Sequence, residues 1–162
     1  MSLLETVIAL GVLLTTTVGV MTIATVAMTT TEDHGHLAAR AAEYAQDKME
    51  QLLSIAYGNV TTDTRVFPSA DSGGTGLDVG GSADPTSPVN GYVDYLDRAG
   101  NPLAIGISTP PNWFYMRVWQ ISTPAGTTNL KQITVTTRVR RGVGSKGLPP
   151  RATVVSLKTS PF

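Results

Sequence analysis

Hydrophobic and polar positions divide the chain into three stretches. Residues 6–31 are 26 positions without a charge. As a helix rising 1.5 Å per residue they would reach ~39 Å, more than the ~30 Å hydrocarbon core of a bilayer. Thr15, Thr16, Thr17, Thr22 and Thr25, with Gly11 and Gly19, lower lipid solubility and helix propensity. The same small and hydroxylated side chains let helices approach closely. Beyond this stretch Leu37, Ala41, Tyr44, Ala45, Met49, Leu52, Leu53 and Ala56 recur at spacings of three and four, with Arg40, Glu43, Asp47 and Glu50 between them. That is an amphipathic helix with one face to bury. Together the two patterns predict a single helix over residues 1–57, weakest at Gly35 and stopped by Gly58. At ~80 Å it is too long for the 105 residues that follow to bury, so its first half is solvated by lipid or by copies of itself.

From residue 58 to 91 the composition turns to Gly, Ser, Thr, Asp and Pro. This reads as a connecting loop, with a short strand at residues 65–67. No Lys and no helical pattern follows Gly76 or Gly81, which excludes a glycine-rich phosphate cradle. Later segments at 92–96, 113–122, 129–140 and 151–158 read as strands, with another short one at 104–107. In the third of these Ile133, Val135 and Val139 face one way, while Gln132, Thr134, Thr136, Arg138 and Arg140 face the other. Turn-like separators such as 97–102, 123–126 and 142–145 join them consecutively, which favours antiparallel pairing. The expected fold is α+β: a long N-terminal helix, apolar then amphipathic, packed on a small antiparallel sheet in a head spanning residues 58–162.

Charge sharpens this division. The formal net charge is zero, but all 12 acids lie at or before Asp97, with Arg40, Lys48 and Arg65 as the only bases there. From Arg98 onward every charged residue is basic: Arg98, Arg117, Lys131, Arg138, Arg140, Arg141, Lys146, Arg151 and Lys158. The acidic part carries −9 and the basic part +9, so the halves neutralise each other within one fold, between copies, or against an anionic partner. With no cysteine, disulfides, thiol catalysis and Cys-ligated metal sites are excluded.

The candidate chemistry is sparse. His34 and His36 point apart on a helix and lack a third metal ligand, so they read as solvated residues. Asp94, Asp97 and Asn101 have a weak likeness to part of a calcium loop, though not an EF-hand. Arg138, Arg140 and Arg141, with Lys131, Lys146, Arg151 and Lys158, form a candidate anionic contact for DNA or for the acidic part of another copy. Asn59 begins an Asn-Val-Thr sequon directly after the helix. No residue set supports catalysis, a cofactor or a metal, and the expectation is a non-enzyme. Glu5 stands out, because an isolated carboxylate at the edge of an apolar segment needs either headgroups or a cationic partner. The amine of Met1, on the same or a neighbouring chain, is the nearest.

The opening Met1-Ser2-Leu3-Leu4-Glu5-Thr6-Val7-Ile8-Ala9-Leu10 resembles the mature N-terminus of a type IV pilin or pseudopilin. Residues 45–52 and 92–102 have a looser likeness to minor pilins of the PilV type. The resemblance implies a leader removed by a prepilin peptidase, N-methylation of Met1, and an assembly role for Met1 and Glu5. It implies storage in the inner membrane through the apolar helix, then self-assembly by the pilus machinery into an extracellular helical homopolymer, or into a periplasmic one for a secretion pseudopilin. Met1 stands where Phe is commoner and Thr22 where many pilins have Pro, which leaves Gly19, with Gly11, as the site of helix flexibility. Without the family's C-terminal disulfide the head must hold by packing alone. The expected function is a structural filament subunit; the alternatives are a secretion pseudopilin or minor pilin, and a membrane-tethered module that binds DNA or another anionic polymer.

Overall fold

A computed structural model describes residues 3–103, 109–140 and 148–160. Met1, Arg141 and Lys146, the short strand expected at 104–107 and the turn at 142–145 lie outside the described residues. One helix, α1, runs Leu3–Ser54 without interruption at Gly11, Gly19 or Gly35. It ends four residues before Gly58, where the Ile55 amide donates back to the Leu52 carbonyl at 3.3 Å and closes a tighter final turn. The chain divides into two compact units, Met1–His36 and Leu37–Phe162.

In the first unit the apolar side chains are exposed all round the helix. The helix is long and apolar enough to cross a membrane.

The second unit is the α+β head. Its strands are β1 (Gly80–Gly81), β2 (Val93–Leu96), β3 (Tyr115–Ser122), β4 (Leu130–Val139) and β5 (Arg151–Thr159). All pair antiparallel. β1 and β2 lie end to end along one edge of β3, which is followed by β4 and then β5. β2, β3, β4 and β5, consecutive in the chain, thus lie side by side as the expected meander. Register partners Tyr115↔Val139, Arg117↔Thr137, Trp119↔Val135 and Ile121↔Ile133 put four pairs on one buried face. Against them Ala45, Met49, Leu52 and Ile55 of the helix end pack with Leu77 and Tyr92. Ala41 and Tyr44 make a second cluster with Leu96, Tyr115 and Val139. Burying each large side chain here contributes roughly 1.5–3 kcal/mol, and with no cysteine in the chain no disulfide adds to it.

The 58–91 stretch differs from the expectation of a plain loop. Residues 65–67 form a turn rather than a strand. The pairing lies on either side of it, Asp63↔Ala70, because Asp63 Oδ1 accepts from the Arg65 amide at 2.9 Å and bends the chain back. Two glycines that carry no side-chain pattern nevertheless form β1. Gly81 has φ +80°, and a Cβ there would run into the Trp119 carbonyl and the Tyr92 ring. Only glycine brings the backbone close enough to pair at that edge.

Candidate functional site

In the first unit the chemistry is that of a surface. Glu5 sits exposed in the first turn of α1. The threonines turn their hydroxyls onto their own helix. Thr16 Oγ1 donates to the Val12 carbonyl at 2.9 Å, Thr17 to Leu13 at 2.7 Å, Thr22 to Val18 at 2.8 Å and Thr25 to Met21 at 2.9 Å. Thr15, Thr29, Thr30 and Thr31 do the same one turn back. A hydroxyl satisfied this way presents its methyl outward and needs no partner from the surroundings, so the expected loss of lipid solubility is largely cancelled. At Gly11 and Gly19 a Cβ would meet nothing within 4 Å, and the helix is regular through both.

The head holds a buried ionic cluster that hydrophobic patterning does not reveal. Lys48, on the core face of α1 among Tyr44, Ala45, Met49 and Leu52, is fully buried. Its Nζ donates to Asp94 Oδ2 at 2.7 Å, to Gln51 Oε1 at 3.0 Å and to the Thr64 carbonyl, and lies 4.1 Å from the centroid of a Trp119 ring. Arg117 on β3 binds the same carboxylate with its fork, Nε to Oδ1 at 2.7 Å and Nη2 to Oδ2 at 2.8 Å. The register Asp94↔Arg117 between β2 and β3 places these two side by side. Burial lowers Lys48 to about 8, against the opposing pull of Asp94. Burial alone would raise Asp94, but Lys48 and Arg117 outweigh it and hold the carboxyl below its ordinary value. With both oxygens occupied by cations, Asp94 is unavailable for a calcium loop. Asp97 is committed elsewhere, its Oδ1 accepting the Ala99 and Asn101 amides in a turn.

Two further lysines, placed by sequence in a basic strip, instead hold the end of the helix and the chain just beyond it. Lys158 Nζ donates to the Leu53 carbonyl at 2.5 Å and to that of Ile55, and Lys131 Nζ to the carbonyls of Tyr57 at 2.9 Å and Leu77 at 2.7 Å. They are register partners across β4 and β5. A helix C-terminus exposes unpaired carbonyls and partial negative charge, which the Lys158 ammonium meets, while Lys131 ties the following residues to the Leu77 loop. Burial lowers Lys158, and neighbouring Lys131 adds to the effect.

Arg138 and Arg140 are brought together. Their guanidinium carbons lie 5.8 and 5.4 Å from the centroid of a Trp113 ring, and Arg140 Nη1 also donates to the Pro111 carbonyl at 2.7 Å. Arg151 pairs with Arg138 in register. Both help to lower exposed Asp84, whose main cause is hydrogen bonding from Thr86. The acidic and basic halves thus meet inside the head at Asp94–Arg117, and Asp84 feels two of the arginines. Asn59 shapes the chain after the helix, since its Oδ1 accepts the Thr61 and Thr62 amides, each at 3.0 Å, and its carbonyl accepts Leu77. His34 and His36 lie on α1, two positions apart. Among the described residues no group of three or more His, Asp or Glu is placed to hold a metal. A cleft of about 500 Å³ is lined by Tyr44, Asp47, Glu50, Phe67, Pro102 and Arg117, and burial raises Asp47 beside it.

Comparison with protein-family models, with curated proteins and with solved structures finds no match to this chain. The long apolar helix and the small antiparallel sheet are compatible with a pilin-like architecture, and that helix is capable of anchoring the chain in a membrane.

Proposed function

We propose that the chain is a structural, non-enzymatic subunit of a type IV pilus-like filament. It is held in the inner membrane by the first half of α1 and later packed through that same surface into an extracellular polymer. The observation that carries this reading is the burial of α1. Residues 37–54 bury an apolar face in the head, whereas an apolar surface of similar helical character over residues 3–31 stays wholly exposed. Such a surface requires an apolar environment, and both lipid and identical helices supply one. Its self-satisfied threonines suit both. The N-terminal sequence, with an acid at position 5 before a long uncharged run, supports the filament in particular. Glu5 then neutralises a cationic group on the N-terminal segment of a neighbouring copy and sets the stagger between helices. Gly11 and Gly19, regular in the single chain, are the positions where the helix yields when packed. A prepilin peptidase and the pilus assembly machinery are the partners this reading requires.

The test is to image sheared cell-surface material and to measure assembly of Glu5→Ala. Helically ordered fibres containing the chain, lost or slowed in the variant although it still inserts in the membrane, are the expected result. Polymerisation of Glu5→Ala at the wild-type rate removes the stagger role, and a chain found only as a detergent-soluble monomer removes the filament. In that case the Arg138, Arg140 and Trp113 cluster favours a second reading, a membrane-tethered module for DNA or another anionic polymer. Arg138→Glu with Arg140→Glu then abolishes polymer retention.

A further inference from the structure

The free edge of the sheet is built to accept another strand. β5 pairs with β4 along nine residues, and among the described residues nothing pairs with its other side. Two backbone bonds fix which groups face outward. Val139 donates to Pro150 and Ser160 donates to Asn129, so even-numbered residues of β5 bond to β4. The odd-numbered ones, Arg151, Thr153, Val155, Leu157 and Thr159, direct their amides and carbonyls to the open edge. Those same five residues carry the exposed side chains, with Val155 at 56% and Leu157 at 58% exposure. Edges of this length are ordinarily guarded by proline, a bulge or an outward-facing charge near the middle. Here the strand interior has none of them: Arg151 stands at one end, and Lys158 is turned to the helix terminus.

We infer that this edge pairs with the same edge of a second copy of the chain, antiparallel about a two-fold axis at Val155. The sequence of the edge selects that occupant. In this register Val155 faces Val155 of the second copy, Thr153 faces Leu157, and Arg151 faces Thr159. Polar residues close both ends, Val155 meets Val155 at the centre with each Leu157 diagonal to it, and no like charges stand opposite each other. All five outward residues of each strand fall on hydrogen-bonded pairs, which allows about ten backbone bonds across the junction. A two-fold contact closes on itself, so it joins two molecules and goes no further. Within the filament reading it would tie one fibre to the next, but the pairing does not depend on that reading and is testable without fibres.

The chain has no cysteine, which makes the experiment direct. Full-length Val155→Cys in detergent micelles is oxidised mildly and run without reductant. At a hydrogen-bonded antiparallel pair the two Cα atoms lie about 5.5 Å apart, within the range a disulfide spans. A covalent dimer is expected for Val155→Cys, and a mixed dimer for Thr153→Cys combined with Leu157→Cys. Neither of the latter variants should dimerise alone, since each residue would lie roughly 14 Å from its own copy. Adding Val155→Lys to the mixed pair should cut its yield at least tenfold while the head melts normally. A reduced, monomeric Val155→Cys with no mixed dimer overturns the inference and leaves the edge to an extended segment of some other protein. Equal dimer yields at all three positions also overturn it, because they report collision rather than register.

Discussion

Residues 3–36 and residues 37–54 belong to one helix, yet they solve opposite problems. The second part has a head to pack against, so it sorts its residues by face: Ala41, Tyr44, Ala45, Met49 and Leu52 inward, Arg40, Glu43 and Glu50 outward. It even buries Lys48, at the price of a three-membered ionic cluster. The first part is apolar on every side, and its only polar side chains over a long run are threonines that satisfy themselves. One part is specific and particular to its partner surface, and the other is generic and indifferent to which apolar surroundings it meets. Periodicity distinguishes the two only because the head requires a face and the surroundings of residues 3–31 do not.

The largest effect should come from breaking the specific side. Asp94→Ala leaves Lys48 and Arg117 buried without their carboxylate, and the head should lose ~3–5 kcal/mol. Thermal melts of the full chain should show a collapsed or non-cooperative head transition, while far-UV circular dichroism in detergent retains the signal of the apolar helix. An unchanged melting temperature would mean that the cluster contributes nothing. On the generic side the corresponding injury is Leu13→Arg, expected to weaken membrane retention by about 2.5 kcal/mol or more and to leave head melting unaltered. Fractionation and melting together separate the two regions.

pH offers a finer division. Lys48 titrates at about 8 in the head, against an ordinary 10.5. Between these values the unfolded chain holds a proton that the folded head has released, so the contribution of Lys48 to head stability rises with pH across that window, by up to about 1.4 kcal/mol per unit. Lys48→Met should abolish the slope. Asp94 acts at the other end: its lowered value contributes stability above its ordinary 3.8, which is lost as pH falls through the lowered one. Equilibrium unfolding from pH 3 to 10 checks both limbs. The smallest effect is expected for Thr16→Val, within about 0.5 kcal/mol for either head stability or membrane retention, because the hydroxyl it removes bonds only to its own helix.

The sequence reveals the helix, the meander and the core face of β4, since these rest on periodicities of 3.6 and 2 that tertiary contacts reinforce. Strand limits come within one or two residues of the observed ones. It does not reveal β1, where two glycines have no side chains to alternate and pairing depends on how closely Trp119 and Tyr92 let the backbone approach. Nor does it separate structural lysines from accessible ones. Lys48 interrupts an apolar face at core spacing, between Ala45 and Leu52, and that is the one local signal of the buried cluster. Lys131 and Lys158 carry no such mark. Their places, Lys158 at the helix end and Lys131 on the chain beyond it, depend on the register between β4 and β5 and on where the helix stops, so a basic strip read from the sequence loses two of its members. Arg138 and Arg140, by contrast, lie together on one face as alternation requires.

The lysine clamp on the helix terminus also imposes an order on biogenesis. Lys158 lies 105 residues beyond the Leu53 carbonyl it holds. At translation speeds of about 5–20 residues per second, the ribosome needs roughly 5–20 s to reach that lysine after adding Leu53. During that interval the apolar half of α1 is free to insert, while its far end has neither Lys158 nor a complete β5. A chain cut short between Ser54 and Lys158 would thus carry the whole apolar helix, long enough to cross a membrane, and an unsecured helix end. Fixation of that end reports that translation has passed β5.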